Sequence, residues 1–363
     1  MHSEQEPAAG PDVNTTAARL RARVEHICAD FPKRHVSSPD QLDACLGWIE
    51  AEARAIGYAP TRQAFEASYW IDERGTPATR TVANLCIEIP GVSRPDETIV
   101  VGAHYDSRVG MDAQHARRPK FDWSGVPEGD PKREFMDTPG ANDNASGVAA
   151  LLTLLEMLKG RTPRRTIHAV FWVNEEYPFF RHTFEKGRRR GGATFRARGM
   201  GSLHHAETLA AQGRPVLGAI ALDSLGCYED KAGPRGCETG DLSWPGRLAI
   251  PVIFPAGRDY VALLSNRRSA PWAARFARAM QSRSPARVVR RSLPLVGPVG
   301  HGWSDDWSYW RQGIPAFCIT DTAYIRSHHY HRVSDTPETL NYGVFAGVVG
   351  AIAAAVGEVC GEH

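Results

Sequence analysis

The chain lacks an excess of either charge: 43 Lys and Arg stand against 41 Asp and Glu, a formal net charge of +2 over 363 residues. Near-neutrality gives no overall pull towards nucleic acid or an anionic membrane. Long hydrophobic runs are missing as well, and no stretch approaches the roughly 18 apolar residues of a spanning helix. The opening MHSEQEPAAGPDVNTT has no apolar core, so it does not read as a secretory signal; residues 1–16 are expected to form a disordered lead. Cysteine is sparse and unpatterned, with Cys28, Cys45, Cys86, Cys227, Cys237, Cys318 and Cys360 widely spread and odd in number. Without a leader, reduced thiols and a cytoplasmic location are the expectation, with a Cys227–Cys237 bridge across a loop left open. A hydrophobic content of 42% and a charged content of 23% fit an ordinary globular enzyme of one large core.

What is present is an alternation of helix and strand signals. Leu20, Val24 and Ile27 share a helical face. Ser38, Pro39 and Gln41 have the spacing of a capping box opening a second helix, which Leu42, Cys45, Leu46, Ile49 and Ala53 continue and Gly57 closes. Leu85, Ile87 and Ile89 alternate as a strand, and 98–102 reads as its buried hairpin partner. Residues 107–139 form a loop longer than a structural connection requires. A Leu-rich helix runs from Ser146 to about Gly160. Ile167, Ala169, Phe171 and Val173 then alternate as a half-buried strand. A polar insertion at about 178–199 follows, then a helix over 201–213, a strand over 216–222 and a Gly- and Pro-rich loop over 226–247. A short strand at 252–254, a helix through 273–280, a strand at 314–319 and a closing helix at 344–359 complete the chain. Strands alternating with helices predict a layered α/β domain, with no internal repeat and no linker dividing it.

Chemistry gathers where the strands stop. His104-Tyr105-Asp106 follows TIVVGA, Asp143 lies in PGANDN before the Leu-rich helix, Glu175-Glu176 follow VFWV, and Asp223 ends VLGAIAL. His328-His329-Tyr330-His331 and Asp335-Thr336 come near the C-terminal side. Adjacent acids gain nothing from a core and need compensation. In open α/β sheets ligands gather beyond the carboxyl ends of the strands, so these groups can converge. Imidazoles and carboxylates without cysteine suit zinc, cobalt or manganese in a hydrolytic site. In His-x-Asp on extended chain both side chains point one way, so Asp106 can accept the far N–H of His104 and fix its tautomer.

The segments VVGAHYDS, PGANDNASGVAALL, FWVNEE, ALDSLG, SDDWSYWRQGIPAF and DTAYIRSHHYHRVSDTPETL, in this order, resemble the M28 family of dinuclear zinc metallopeptidases, typified by bacterial aminopeptidases. The resemblance spans roughly 82–341. It implies an α/β fold with a mixed central β-sheet flanked by helices on both faces (zinc exopeptidase, phosphorylase/hydrolase-like), and one metallopeptidase domain over 17–363 carrying the two insertions. It also implies two zinc ions per chain: Asp143 bridging, His104 and Asp223 completing one, Glu176 and His331 the other. Glu175 is then the general base that deprotonates the zinc-activated water, and Asp143–Asn144 is a cis peptide. His331 is chosen over His328 and His329, which fit the pocket rim, because the family has His, three residues, then Asp-Thr. Asp321 and Arg326 match the family's DTA…R stretch in a structural role.

The sequence departs from the family where Asp306 stands in place of the usual His after Ser304-Asp305. Asp305, Asp306, Phe179 and Tyr330 are candidate lining of the substrate pocket, with core packing an equal reading for Phe179. KGRRR at 186–190 reads as a solvated loop or a basic rim. The substrate implied is a peptide, with neither nucleic acid nor membrane as partner, and an aminopeptidase is the leading activity. A glutaminyl cyclase, which holds a single zinc on a similar fold and carries Asp-Asp in the corresponding motif, is the alternative. A non-catalytic binding relative is the third reading, against which stand the complete ligand set and Glu175.

Overall fold

Helix α1 (Val13–Asp30) begins where Asp12 accepts the N–H of Thr15 at 3.1 Å, so 13–16 are helical and not part of a lead. The structure, a computed structural model, describes residues 12–70, 76–111, 120, 122–176, 179, 199–229, 250–293 and 302–361. Helix α2 (Pro39–Ile56) has Pro at its first turn and Gly57 closing it at φ 99°. The capping box does not form: Ser38 makes no side-chain cap, and Gln41 instead accepts the N–H of Lys33 at 2.7 Å. The loop before α2 needed that acceptor more than the helix did.

Eight strands form one sheet: β1 (Thr61–Trp70), β2 (Pro77–Ile89), β3 (Arg94–His104), β4 (Arg165–Trp172), β5 (Val216–Leu222), β6 (Tyr260–Asn266), β7 (Arg287–Leu293) and β8 (Ala316–Thr320), in the order β1-β2-β4-β3-β5-β8-β6-β7. Strands β4, β3, β5 and β8 are mutually parallel; β2 runs against β4 and β6 against β8. Strand β3 is therefore not the hairpin partner of β2. Strand β4 lies between them, pairing Phe171 with Leu85 on one side and Ala169 with Val101 on the other. The crossover through helix α3 (Ser146–Leu158) returns the chain parallel to β3 and takes the place a hairpin would fill.

The sheet is covered on both faces, as expected. Ile99, Val101, Ala103, Ile167, Ala169, Phe171, Ile220 and Leu222 belong to the largest core, with residues of α1, α2, α3, helix α5 (Ala270–Gln281) and helix α7 (Tyr342–Cys360). Their neighbours Val100, Val170, Trp172, Ala219 and Ala221 meet helix α4 (Gly201–Ala211) and helix α6 (Asp306–Arg311) through Ala206, Leu209 and Tyr309. Strand β4 is thus buried on both sides rather than half-buried, the ordinary state of a parallel strand at mid-sheet.

Two further expectations need correction. Residues 250–253 are helical, with Phe254 N–H donating to Ile250 O at 2.8 Å, where a short strand was expected; three apolar residues carry no period to separate the two. Strands β6 and β7 lie beyond it. Helix α7 is long and apolar enough to cross a membrane by length and composition, contrary to the reading that no stretch is. Its most apolar 18 residues are 67% buried within the fold, packed against α1, α3 and α5, so that apolarity serves the core.

The described part of 107–139 holds only a short 3₁₀ turn (Pro131–Phe135), tied back by Met111 N–H to Phe135 O at 2.9 Å and Gly110 N–H to Asp137 Oδ1 at 2.7 Å. Of 178–199 only Phe179 and Gly199 are described; KGRRR and Cys237, with its possible bridge, lie outside.

Candidate metal centre

Parallel strands end on one side, so their final residues meet there. His104 ends β3, Glu175 and Glu176 follow β4, Asp223 follows β5 and Asp321 follows β8. Asp143 arrives on a kinked turn, Ala141–Ala145, ahead of α3. Gly140 begins that turn at φ 59°, and a Cβ there would meet Asp143 O at 2.3 Å, so only glycine fits. The Asp143–Asn144 peptide is cis. Around it the hydrogen bonding is complete. Asn142 N–H and Asp143 N–H donate to the two Asp335 oxygens at 2.9 and 3.1 Å. Gly147 N–H and Ser224 N–H donate to Asn144 Oδ1, and Asn144 Nδ2 donates to Leu222 O. The buried Arg34 donates to the carbonyls of Pro139 and Gly140. Among the described residues four non-glycines adopt positive φ, namely Asn174, Ser224, Thr322 and His331, and each lies in a loop beside this cluster. Backbone held in that region concentrates at functional sites.

Among the described residues, two groups of side chains could each hold a metal ion: His104, Asp143 and Asp223, and Asp143, Glu176 and His331. His104 Nε2 lies 3.3 Å from Asp143 Oδ1 and 3.8 Å from Asp223 Oδ1; His331 Nε2 lies 3.1 Å from Asp143 Oδ2 and 3.2 Å from Glu176 Oε1. Asp143 faces both imidazoles with different oxygens. His104 is fully buried, and its Nε2 makes no hydrogen bond although it is ringed by carboxylates. A buried nitrogen without a hydrogen-bond partner, facing oxygen donors with no thiol among them, is what zinc in a hydrolytic site accepts. The residues fit the ion.

Glu175 belongs to neither group. Its Oε2 is 3.9 Å from His104 Nε2, at the edge of the first. Burial, reinforced by the charges of Glu176, Asp223 and Asp305 and opposed by His104, pushes its carboxyl well above the ordinary range. Glu176 goes the other way: burial would raise it, but His331 and Arg108 hold it down at about 2. Adjacent residues on one strand end thus have opposite proton affinities, the arrangement that separates a proton carrier from a ligand. Asp106 is placed differently from the expectation. Its two carboxylate oxygens accept the N–H groups of Glu175 and Glu176 at 3.1 and 3.0 Å. Toward His104 Nδ1 it presents its main-chain oxygen at 3.2 Å, with the carboxylate at 3.6 Å. It positions the Glu pair as well as the imidazole.

The remaining expected residues divide. Asp305 and Asp306 are buried, Asp305 pushed up to about 7 by burial and Asp306 well above its usual range, and neither Asp306 oxygen has a hydrogen-bond partner. Phe179 packs in the main core at 2% exposure. Tyr330 stacks on His331 with ring centroids 3.7 Å apart. His328 and His329 lie with ring centroids 3.7 Å apart and planes tilted by 44°, and His329 Nδ1 meets Ser334 Oγ at 3.0 Å, which secures the His331 turn. Asp321 accepts from Asn142 Nδ2 and Cys227 N–H, and Arg326 donates to Tyr260 O, as structural residues do. Residues not singled out from the sequence complete the setting. Arg34 supports the Asp143 turn, and Asn84 accepts from Val173 N–H while donating to Gly201 O beneath the Glu pair. Arg108 Nη1 stands 3.2 Å from His331 Nε2 and 3.6 Å from Glu176 Oε2.

Comparison with known proteins bears on the family and the fold. Residues 84–238 match the model of peptidase family M28. An uncharacterised protein of Escherichia coli K12, YfbL, is 32% identical over 254 residues, 70% of this chain and 64% of that one. A probable zinc metalloprotease of Leptosphaeria maculans is 27% identical over 187 residues, 49% and 39% of the two. The chain therefore spans less than two thirds of the length of these relatives. Among solved structures, a leucine aminopeptidase precursor from Bacteroides thetaiotaomicron superposes with a TM-score of 0.63 at 18% identity over 96% of this chain and 98% of that one. A glutaminyl cyclase from the same organism gives 0.62 at 18% identity over 95% and 97%. At that identity the likeness is one of fold.

Proposed function

The chain belongs to peptidase family M28, and from that premise we propose that it is a zinc-dependent aminopeptidase removing N-terminal residues from peptides. The observation that carries the proposal is the pair of ligand groups joined at Asp143 with a non-ligand carboxylate, Glu175, beside them. His104, Asp143 and Asp223 would hold one zinc, and Asp143, Glu176 and His331 a second. Bound there, zinc supplies a Lewis acid that acidifies water and draws charge from a carbonyl oxygen.

The chain's own contribution is proton handling and position. Glu175 has a high proton affinity and stands outside the ligand groups, so it takes the proton from the attacking water and returns it to the leaving amine. Asp106 holds Glu175 and Glu176 by their N–H groups, which fixes the carboxylates relative to each other. Burial of the cluster excludes bulk water and strengthens each of these interactions. The test is metal content after zinc loading together with turnover of aminoacyl chromogenic substrates; a zinc-loaded protein inert to the whole panel refutes the activity. Glutaminyl cyclase is a second reading, favoured by the buried Asp305–Asp306 pair. It predicts a single zinc and ring closure of N-terminal Gln peptides.

A further inference from the structure

Arg108 stands at the mouth of the 107–139 insertion with its side chain 8% exposed. Its Nη1 donates toward Nε2 of His331, the same lone pair that faces Asp143 and Glu176. The insertion also grips the turn that carries this histidine: Val333 N–H donates to Glu134 O at 3.0 Å, and Arg332 Nη1 meets Glu134 Oε2 at 3.2 Å. Among the described residues the other group shows no such neighbour: the side chains paired with His104 Nε2 are carboxylates, those of Asp143, Asp223 and Glu175. The two pockets share Asp143 but differ in this one respect.

We propose that Arg108 is a resident cation of the second pocket, whose N–H competes with metal for His331 Nε2. Zinc then fills the His104–Asp143–Asp223 group first, and enters the Asp143–Glu176–His331 group only when the guanidinium withdraws. The insertion that carries Arg108 thereby sets how much zinc the cell must supply before the second ion is held. A fixed positive charge repels a dication, and loss of the His331 lone pair removes one of three ligands, so both effects act in one direction. The inference rests on the zinc reading above and concerns only the order and strength of filling.

The experiment is a zinc titration of the metal-stripped full chain by calorimetry, with bound zinc counted by mass spectrometry. Wild type is expected to fill in two unequal steps. In Arg108→Met the second step tightens by about 10- to 100-fold, the range by which groups around a metal ligand tune affinity, while the first is unchanged. Arg108→Lys, which keeps a cation, retains the weak second step. Two equal steps in wild type, or a second step no tighter in a folded Arg108→Met, overturns the inference and leaves the zinc reading standing. Absence of any zinc binding would instead overturn that reading. Should Arg108→Met not fold, wild type still decides: Arg108 is expected to resist phenylglyoxal at one zinc equivalent and react at two. Equal reactivity at both refutes the displacement.

Discussion

Glu175 and Glu176 are adjacent, equally buried and chemically alike, yet their surroundings give them opposite tasks. Glu176 is kept ionised by His331 and Arg108, while Glu175, short of cationic partners, holds protons strongly. Glu175→Gln is expected to keep its zinc and lose on the order of 10²–10⁴ in kcat, checked by steady-state kinetics alongside metal analysis. Loss of zinc with unchanged turnover per bound metal would contradict the role. Glu176→Ala and His331→Ala should show the reverse, weaker zinc binding measured by competition with a chelating dye. The candidate ligands were legible in the sequence because their motifs keep a fixed order and three of them, His104, Glu176 and Asp223, stand at strand ends. Asp106 was legible only in part: residue spacing shows which way a side chain points, not that two N–H groups from another strand wait there. Arg34, Asn84 and Arg108 carry no motif, and their partners are chosen by the folded chain alone.

At the scale of elements, loops and not strands set the geometry. The turn from Gly140 to Ala145 has no room for a side chain at its first residue. Gly140→Ala is therefore expected to cost about 2 kcal/mol or more, from left-handed backbone and contact with Asp143 O. It should also lower zinc binding at both groups, read by thermal unfolding and metal analysis. The 107–139 insertion is pinned by Asp137, which accepts Gly110 N–H and faces His35 and Lys33. Burial works against its charge, but His35, Gly110 N–H and Lys33 together hold its carboxyl below the ordinary value. A lowered folded value means stability that is present above the unfolded pKa, about 3.9, and lost as pH falls through the folded one. Asp137→Asn should thus lower stability at pH 7 by about 1–3 kcal/mol, and the gap from wild type should narrow below about pH 4, measured by denaturant unfolding. Strands β2 and β4, with alternating apolar residues, and the continuously apolar β5 and β8 were legible. The pairing of β2 with β4 was not, because a strand's period says which face is buried and nothing about which neighbour it chooses. Strand β7, RVVRRSL, lies at the sheet edge with arginines on it, and its apolar signal is too weak to mark a strand.

Across the whole molecule, ligands from β3, β5, the turn before α3, the end of β4 and the far C-terminal segment close on one point. Metal bound there would add a link between parts that the sheet and the loop hydrogen bonds already join, so it should stabilise the native state alone. At free zinc 100-fold above its dissociation constant the gain is about 2.7 kcal/mol per site. Stripping zinc with a chelator is expected to lower Tm by several degrees without changing the far-ultraviolet circular dichroism; an unchanged Tm would argue against a site coupled to folding. The support of Asp143 by Asp335 carries a consequence for the protein's own synthesis. His104, Asp143 and Asp223 all leave the ribosome well before Asp335 does, yet the N–H groups of Asn142 and Asp143 gain their acceptors only when the Asp335 carboxylate arrives. A growing chain that has not yet reached Asp335 consequently lacks the carboxylate that ties down the Asp143 turn, and the two ligand groups are held as described only once that residue has been made.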